Sequence, residues 1–151
     1  MPPSTIPLAT PSATKDLAVR LAASVRGGDV LALEGELGAG KTTLVQHFAR
    51  ALGVDAQAVR SPTFSLLAVH HGHDARGLTL CHADLYRLRA GEELEGIGLL
   101  DWLGDESAVT AIEWPAVAAP WLSDLAVWRI AIVGTDGDRR ASVSGPRPLA
   151  Q

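Results

Sequence analysis

Apolar positions in the first third of the chain predict a helix, a buried strand and a second helix. Apolar residues recur at helical spacing over 13–25, whereas residues 30–33 are continuously apolar, as in a strand buried on both faces. A glycine-rich turn over 35–40 then leads into a second helical pattern over 41–52. Residues 1–12 are rich in Pro, Ser and Thr, and we expect them to be irregular.

The rest of the chain alternates short apolar runs with one amphipathic segment. In chain order we expect a strand over 64–69, a polar loop over 70–77, a strand over 78–83, a helix over 92–103, a strand over 108–112, a loop over 115–124, and a closing hairpin from strands over 125–133 and 140–144. Because some of these strands follow one another through hairpins, the sheet is expected to be mixed.

Length and composition limit the classes of protein to which the chain can belong. It has 151 residues, 47% of them apolar and 20% charged, which is typical of one globular domain spanning 1–151. No apolar run suits a membrane span, the N-terminus lacks the pattern of a secretory signal, and Cys81 is the only cysteine, so a cytoplasmic location is expected. The net charge of −4 argues against a broad nucleic-acid-binding surface.

The turn between the buried strand and the second helix carries a phosphate-binding motif. Residues 35–42, GELGAGKT, match the Walker A pattern G-x-x-x-x-G-K-[ST] at every position. Glycines allow successive backbone N–H groups to point at one anion, and the start of the helix adds its positive dipole end. Lys41 supplies a point charge to the β- and γ-phosphates, and the Thr42 hydroxyl can bind Mg²⁺. The eight-residue match favours a nucleotide site over a glycine-rich turn without a ligand.

This motif between a strand and a helix predicts an α/β protein. We expect a P-loop NTPase-like three-layer sandwich with a mixed, mostly parallel central sheet and a C-terminal hairpin. A P-loop nucleotidase needs a carboxylate at the end of a neighbouring strand to hold Mg²⁺ or to orient water. Asp84 and Glu113 end two predicted strands and qualify, although either could instead be a cap or a solvated residue. Both could act through water, because Mg²⁺ keeps several of its waters.

A possible switch residue follows the second helix. Ser61-Pro62-Thr63 lies where nucleotide switches often place a threonine whose hydroxyl senses the γ-phosphate or the metal. The same tripeptide could form a plain turn with Pro62 at its second position. The residues alone leave both interpretations open.

The absence of asparagine from the chain argues against one class of nucleotide-binding protein, the GTPases. Recognition of guanine in GTPases generally uses an Asn-Lys-x-Asp motif, and the chain has no asparagine. Arg87 and Arg89 could close over the phosphates as a lid, so a small-molecule P-loop kinase is an alternative, although the segment is short for a lid and an acceptor pocket. A nucleotide-dependent binding module without turnover is a third hypothesis.

Other residues with potential chemistry have simpler explanations. A metal site could be built from His70, His71, His73, His82 and Asp74, but the H-H-x-H spacing lies on a polar loop without a cysteine partner, which favours a solvated loop. Cys81 lies within a predicted strand and is expected to be a small buried apolar residue. Arg139 and Arg140 could reach a phosphate or a partner, but a charged hairpin end is the preferred interpretation.

Five segments carry a resemblance to a known family. GELGAGKTTLVQHFARALG, SPTFSLL, HADLYRL, EELEGIGLLDWL and IEWP stand in the order and spacing of the bacterial TsaE (YjeE) family, and the resemblance covers nearly the whole chain. SPT, DLYRL and EWP together on one small P-loop domain are more specific than the P-loop alone. The family often has an aromatic residue where Ala83 stands, a difference that concerns local packing and not the metal site.

The resemblance implies an ATPase needed to form N6-threonylcarbamoyladenosine (t6A) at position 37 of tRNAs that read codons starting with A. In this family the protein joins the TsaB–TsaD pair, TsaD transfers the threonylcarbamoyl group, and ATP binding and hydrolysis support repeated turnover. ATP and Mg²⁺ are the implied cofactors, and hydrolysis is expected to be slow without partners. The acidity of the chain suggests that these partners carry most of the tRNA contact.

The motif and the resemblance together assign the site. Catalytic roles fall on Lys41, Thr63, Asp84 and Glu113, and metal binding falls on Thr42, Asp84 and Glu113. The nucleotide-binding residues are Pro11, Thr14, Glu36, Leu37, Gly38, Ala39, Gly40, Lys41, Thr42, Thr43 and Trp114. The resemblance places Pro11 and Thr14 in an N-terminal stretch that reaches the adenine side, and it places Trp114 near the nucleotide.

Overall fold

The computed structural model of the chain describes residues 2–60, 62, 66–89 and 93–151. Its strands are β1 (Ser4–Pro7), β2 (Val30–Glu34), β3 (Leu67–His71), β4 (Thr79–Asp84), β5 (Ala108–Glu113), β6 (Val127–Val133) and β7 (Arg140–Ser144). Its helices are α1 (Pro11–Ser24), α2 (Lys41–Ala51), α3 (Leu94–Ile97) and α4 (Ala119–Leu122), with short 3₁₀ turns between some elements. Within the described part of the chain, no helix is both long and apolar enough to cross a lipid bilayer.

The strands form one sheet with a parallel centre and antiparallel edges. Their order is β1-β7-β6-β2-β5-β4-β3. The four central strands β6, β2, β5 and β4 are parallel to one another, whereas β3 adds to β4 antiparallel, and β7 and β1 extend the sheet antiparallel from β6. The predicted α/β class, with its mixed sheet and C-terminal hairpin, is therefore confirmed.

Both faces of the sheet are covered, which makes three layers. The two long helices pack on one face, and the short helices and 3₁₀ turns pack on the other. Alternate residues of each central strand supply the two cores: Leu31, Leu33, Leu80, Val109 and Ala111 face the long helices, and Val30, Cys81, Ala83 and Ile112 face the short ones. Burying a leucine or isoleucine side chain contributes about 1.5–3 kcal/mol, so these two layers fix the strands against sliding.

The structure corrects the expectation that residues 1–12 are irregular. Ser4–Pro7 forms β1, which pairs with β7 so that Ser4 lies opposite Val143 and Pro7 opposite Arg140. Thr10 then caps α1, because its side chain accepts a hydrogen bond from the N–H of Ala13 at 3.1 Å. An edge strand is held by backbone pairing and tolerates proline. The residues of β1 therefore carry no apolar pattern by which the sequence could predict a strand.

The helix expected over 92–103 is also wrong. In the described part of this segment, α3 and a 3₁₀ turn at Leu99–Asp101 replace a continuous helix. Gly98 separates them with φ of 84°, a left-handed conformation that ends the first helix. The apolar spacing did identify the buried residues Leu94 and Leu99, which pack against the sheet despite the break. Strand β3 begins at Leu67, and the expected strand residues 64 and 65 lie outside the described part of the chain.

The C-terminal tail is fastened to the sheet by a buried ion pair. Asp29 is 3% exposed and receives hydrogen bonds from the guanidinium of Arg147, at 2.5 and 3.1 Å, and from the indole N–H of Trp128 at 3.0 Å. The Ala150 N–H donates to Ser24 Oγ at 2.8 Å. Burial alone would raise the pKa of Asp29, but the bonds from Arg147 and Trp128 outweigh it and hold this pKa below its usual value.

We expect Arg147→Met to lower the free energy of unfolding by about 2–3 kcal/mol at pH 7, because it leaves a buried carboxylate without its cation. A lowered pKa in the folded state means that the stabilisation from Asp29 is present above its unfolded pKa, near 3.8, and is lost as the pH falls through the folded value. The difference from the wild type should therefore shrink toward pH 3. Urea unfolding from pH 7 to pH 3 measures it, with exposed Arg140→Met as control; a pH-independent difference would contradict the prediction.

Candidate functional site

The phosphate-binding loop joins the central strand β2 to α2. Gly35, Gly38 and Gly40 have φ of 154°, 78° and 106°, values that residues with a Cβ adopt at a cost. Gly40 directly precedes α2, whose first-turn N–H groups have no partner within the helix. The loop and the helix start together present backbone donors and the positive dipole end to one place, as the sequence motif predicts.

Gly35→Ala should lower the free energy of unfolding by about 1–3 kcal/mol. The added Cβ would lie 2.8 Å from the carbonyl oxygen of Ile132, and φ at this position is positive. Gly137→Ala, in the β6–β7 hairpin, is the matched control because nothing lies within 4 Å of its Cβ position. Its effect should stay within about 0.5 kcal/mol, as for ordinary surface changes. Chemical denaturation compares the two variants, and equal stabilities would refute the close approach of Gly35.

Lys41 is buried inside this loop, with 4% of its surface exposed. Its ammonium donates hydrogen bonds to the carbonyl oxygens of Gly35 and Glu36, the latter at 3.0 Å. The Nζ atom also lies 4.0 Å from the ring centroid of Trp114, a cation–π contact. Burial lowers the pKa of Lys41, and the carboxylates of Glu113, Asp84 and Glu36 oppose that shift. The amine is therefore fixed and largely dehydrated at the phosphate-binding turn.

Two carboxylates lie beside the loop, at the ends of parallel strands. Asp84 ends β4 and Glu113 ends β5, and the register pairs these two residues directly. Glu113 is 2% exposed, and its Oε1 accepts a hydrogen bond from the Thr42 hydroxyl at 2.8 Å. Asp84 Oδ1 accepts one from the N–H of Tyr86 at 3.0 Å. A groove of about 230 Å³ lies between the loop residues 37–43 and these carboxylates.

This donor set suits Mg²⁺ better than a transition metal. Thr42, Asp84 and Glu113 supply one hydroxyl and two carboxylates, and Mg²⁺ is usually bound by one or two carboxylates together with phosphate and several waters. Among the described residues, no group of three His, Cys, Asp or Glu side chains could enclose a metal ion. The predicted metal residues therefore lie together in a set whose chemistry fits magnesium.

Glu113 has a second partner that the sequence analysis did not identify. Its Oε2 lies 2.6 Å from Nε2 of His82, and the imidazole is completely buried. The alternation of side chains along β4 places His82 on the same face as Asp84, two residues away. The alternation could be seen in the sequence, but the position of Glu113 next to His82 depends on the pairing of β4 with β5.

Two further grooves flank the phosphate-binding loop. One, of about 310 Å³, brings Pro11 and Thr14 at the start of α1 next to Gly40 and Thr43. The other, of about 670 Å³, is mostly apolar and includes Leu37 and the aromatic residues around Trp114. The predicted N-terminal contribution to the nucleotide site is thus adjacent to the loop, on the side of Thr43.

Trp114 separates the apolar groove from the carboxylate groove and lines both. Its backbone has φ of 59° and ψ of 61°, a conformation that is uncommon for a bulky residue. Its N–H donates to the carbonyl oxygen of Leu33 at 3.2 Å, and its ring packs against Tyr86 at a centroid distance of 4.9 Å. Backbone strain of this kind is found at functional sites, where the surrounding structure holds it in place.

Arg139 lies closer to the phosphate-binding loop than the preferred sequence interpretation placed it. It was expected to belong to a charged hairpin end, but it lines both flanking grooves. Its Nη1 lies 3.9 Å from the position that a Cβ on Gly40 would take. Its Nε is buried, without a hydrogen-bond partner among the described residues. No sequence pattern near Arg139 shows this position, because only the tertiary structure brings the β6–β7 hairpin next to the phosphate-binding loop.

The remaining candidates have structural roles or lie outside the described residues. Asp74, on the loop between β3 and β4, pairs with Arg76 at 2.7 Å, and Arg76 also donates to the carbonyl oxygens of Ala22 and Val25 at 2.8 Å. This loop therefore caps the end of α1. Cys81 is buried, as expected, and burial raises its pKa to about 12. Thr63 lies outside the described residues.

Comparison with known proteins identifies the family of the chain. The family model for "Threonylcarbamoyl adenosine biosynthesis protein TsaE" matches residues 8–142. The chain belongs to the TsaE family. The match spans β2, the phosphate-binding loop, both carboxylate-bearing strands, β6 and the first part of β7. The resemblance drawn from the sequence motifs is therefore confirmed, and the family works in the biosynthesis of threonylcarbamoyladenosine in tRNA.

Individual relatives cover much of the chain. The tRNA threonylcarbamoyladenosine biosynthesis protein TsaE of Treponema pallidum is 39% identical over 78% of this chain and 82% of that protein. The protein of the same name from Nostoc sp. is 34% identical over 91% of this chain and 83% of its own. The crystal structure of Bacillus subtilis YdiB matches with a TM-score of 0.67 and 28% identity, covering 95% of this chain and 85% of that one.

Proposed function

We propose that this TsaE-family chain binds and hydrolyses ATP as a subunit required for t6A formation at position 37 of tRNAs that read codons starting with A, acting with the TsaB–TsaD complex. One observation carries the nucleotide part of the proposal. The phosphate-binding loop, the hydroxyl of Thr42 and the carboxylates of Asp84 and Glu113 surround one groove. Family membership supplies the pathway, and a cytoplasmic location follows from the tRNA substrate of that pathway.

In the proposed complex, the triphosphate lies along the loop amides of residues 38–43, and the adenosine lies in the groove beside Pro11 and Thr14. Lys41 is placed to bind the phosphates, because its ammonium is already inside the loop. Mg²⁺, when bound, neutralises phosphate charge, and Thr42, Asp84 and Glu113 would hold it directly or through water.

Hydrolysis is proposed to be slow until a partner binds. The described residues that line the groove between the loop and the carboxylates include no arginine, since Arg139 lines only the flanking grooves. Within this groove, the positive charge that phosphoryl transfer needs comes from Lys41, the metal and the backbone. A partner can complete such a site with a further cation. The net charge of −4 fits a protein that reaches tRNA mainly through TsaB–TsaD.

The small-molecule kinase alternative has no comparable support. Arg87 and Arg89 are exposed on the short turn after β4, and the family match assigns the chain to tRNA modification. An acceptor-dependent release of ADP, with a phosphorylated product, would favour the kinase over the ATPase.

Lys41→Ala tests the proposed function. Loss of a charge-assisted contact to phosphate should weaken ATP binding by about 100-fold, which corresponds to roughly 3 kcal/mol. Calorimetry measures binding, and ADP release and tRNA modification are followed with and without TsaB–TsaD. Lys15→Ala is the matched control, since Lys15 is the other lysine of the chain and lies exposed on α1.

For Lys41→Ala alone, the expected result is ATP binding weakened by about 100-fold and loss of turnover and modification, with thermal unfolding showing that the variant folds. Full modification by Lys41→Ala would refute the proposed role of the loop. ADP that never rises above background for the wild type, even with TsaB–TsaD, would instead indicate a binding module without turnover.

We also propose that Arg139 of the β6–β7 hairpin contacts the nucleotide, and a second variant pair tests this contact. Arg139→Ala should weaken ATP binding by about 10-fold, because it removes a guanidinium held beside Gly40. Arg140→Ala, on the adjacent exposed residue, should change binding by less than about twofold. Calorimetric titration with ATP measures both, and equal affinities for the two variants would show that Arg139 belongs to the hairpin surface only.

A further inference from the structure

The carboxylate of Glu113 is held between two donors from different elements. Its Oε1 faces the hydroxyl of Thr42 on α2 at 2.8 Å, and its Oε2 faces Nε2 of His82 on β4 at 2.6 Å. Both Glu113 and His82 are buried, so bulk water does not compete for these oxygens. A carboxylate that accepts hydrogen bonds on both oxygens has one preferred orientation.

The sheet fixes where the imidazole lies. In the parallel pairing of β4 with β5, Asp84 lies opposite Glu113 and His82 lies opposite Ala111. On its other side, β4 pairs with β3, where Ala68 lies opposite His82. The imidazole therefore lies on the same face of the sheet as the side chain of Glu113, two residues before Asp84 along β4.

His82 does not line the groove between the loop and the carboxylates, whereas Asp84, Glu113 and Thr42 do. Any effect of His82 on a nucleotide or metal must therefore pass through another side chain. Glu113 is the side chain that it contacts with its ring nitrogen. The 2.6 Å separation between His82 Nε2 and the buried carboxylate is slightly shorter than the usual range of about 2.7–2.9 Å for a charge-assisted N–H···O bond.

We propose that His82 is a positioning residue that occupies Oε2 of Glu113, so that Oε1 is the oxygen presented to Thr42 and the phosphate-binding loop. The inference rests on the proposed ATPase function, because it assigns a task to Glu113 in that site. Without a donor at Oε2, the carboxylate is free to turn toward Lys41 or to exchange its oxygens at Thr42. Partners of this kind around metal-site residues typically change activity by about 10–100-fold when they are removed.

The competing explanation is a histidine that only fills the core. Two variants distinguish the effect of the volume of the His82 side chain from the effect of its hydrogen bond to Glu113. His82→Phe keeps a ring of similar size without a donor, and His82→Gln places an amide N–H near the position of Nε2. Leu80→Val is the control for a disturbed core, because Leu80 is buried on the same face of β4, two residues from His82, and makes no hydrogen bond to Glu113 through its side chain.

ATP hydrolysis in the presence of TsaB–TsaD is the first measurement. His82→Phe should lower kcat at least about 10-fold with KM within about threefold, and His82→Gln should recover most of that loss. Leu80→Val should leave kcat within about twofold. In a background of Glu113→Gln, His82→Phe should cause little further loss, because both changes act on one carboxylate.

The second measurement needs no nucleotide. In the ligand-free protein, the ring N–H of His82 should give a downfield, slowly exchanging proton resonance by NMR, as expected for a buried bond to a carboxylate. Glu113→Gln should shift this resonance upfield, and Leu80→Val should leave it in place.

Several results would overturn the inference. These are wild-type kcat for His82→Phe, an equal loss for His82→Gln and His82→Phe, or a ring proton that Glu113→Gln does not move. In each of these cases, ATP hydrolysis by the wild type leaves the proposed function standing. A wild-type chain that does not bind Mg-ATP overturns the proposed function, and the assignment of His82 falls with it even if the NMR bond is present.

Discussion

The parallel pairing of three central strands is the constraint on which the site depends. β2 pairs with β5 and β5 pairs with β4, so Leu33 and Asp84 both lie opposite Glu113. Parallel strands end at the same edge of a sheet, which brings the loop after β2 and the two carboxylates together. Apolar packing on both faces holds this register, since a shift of one residue would turn Glu113 away from Thr42.

At this edge of the sheet, the buried ammonium of Lys41 interacts with several carboxylates. Burial lowers the pKa of Lys41, and Glu113, Asp84 and Glu36 act in the opposite direction. The low local dielectric strengthens each of these interactions, and the backbone carbonyls of Gly35 and Glu36 fix the ammonium in the loop. A phosphate in the loop would therefore meet an ammonium that is already oriented and shielded from bulk water, which is a condition for electrostatic preorganisation.

Much of the fold was predictable because its elements carry strong local patterns. β2, α2, β4, β5 and the β6–β7 hairpin lie within about two residues of their expected bounds, since each is an apolar run or a helical repeat ended by glycine or a polar turn. β1 was not predictable, because its order comes from backbone pairing with β7. The prediction of a single helix over 92–103 was wrong for a different reason. The apolar spacing is correct, but Gly98 has a left-handed backbone that interrupts the helix.

The sequence by itself determined the phosphate-binding loop and the carboxylates at two strand ends, because a contiguous motif and a strand ending in an acid each require only neighbouring residues. The tertiary structure alone decided that His82 bonds Glu113 and that Arg139 reaches Gly40. Those contacts join residues 31 and 99 positions apart in the chain. They depend on which strands pair, in which order and in which register, and the burial of both sheet faces selects that arrangement only for the chain as a whole.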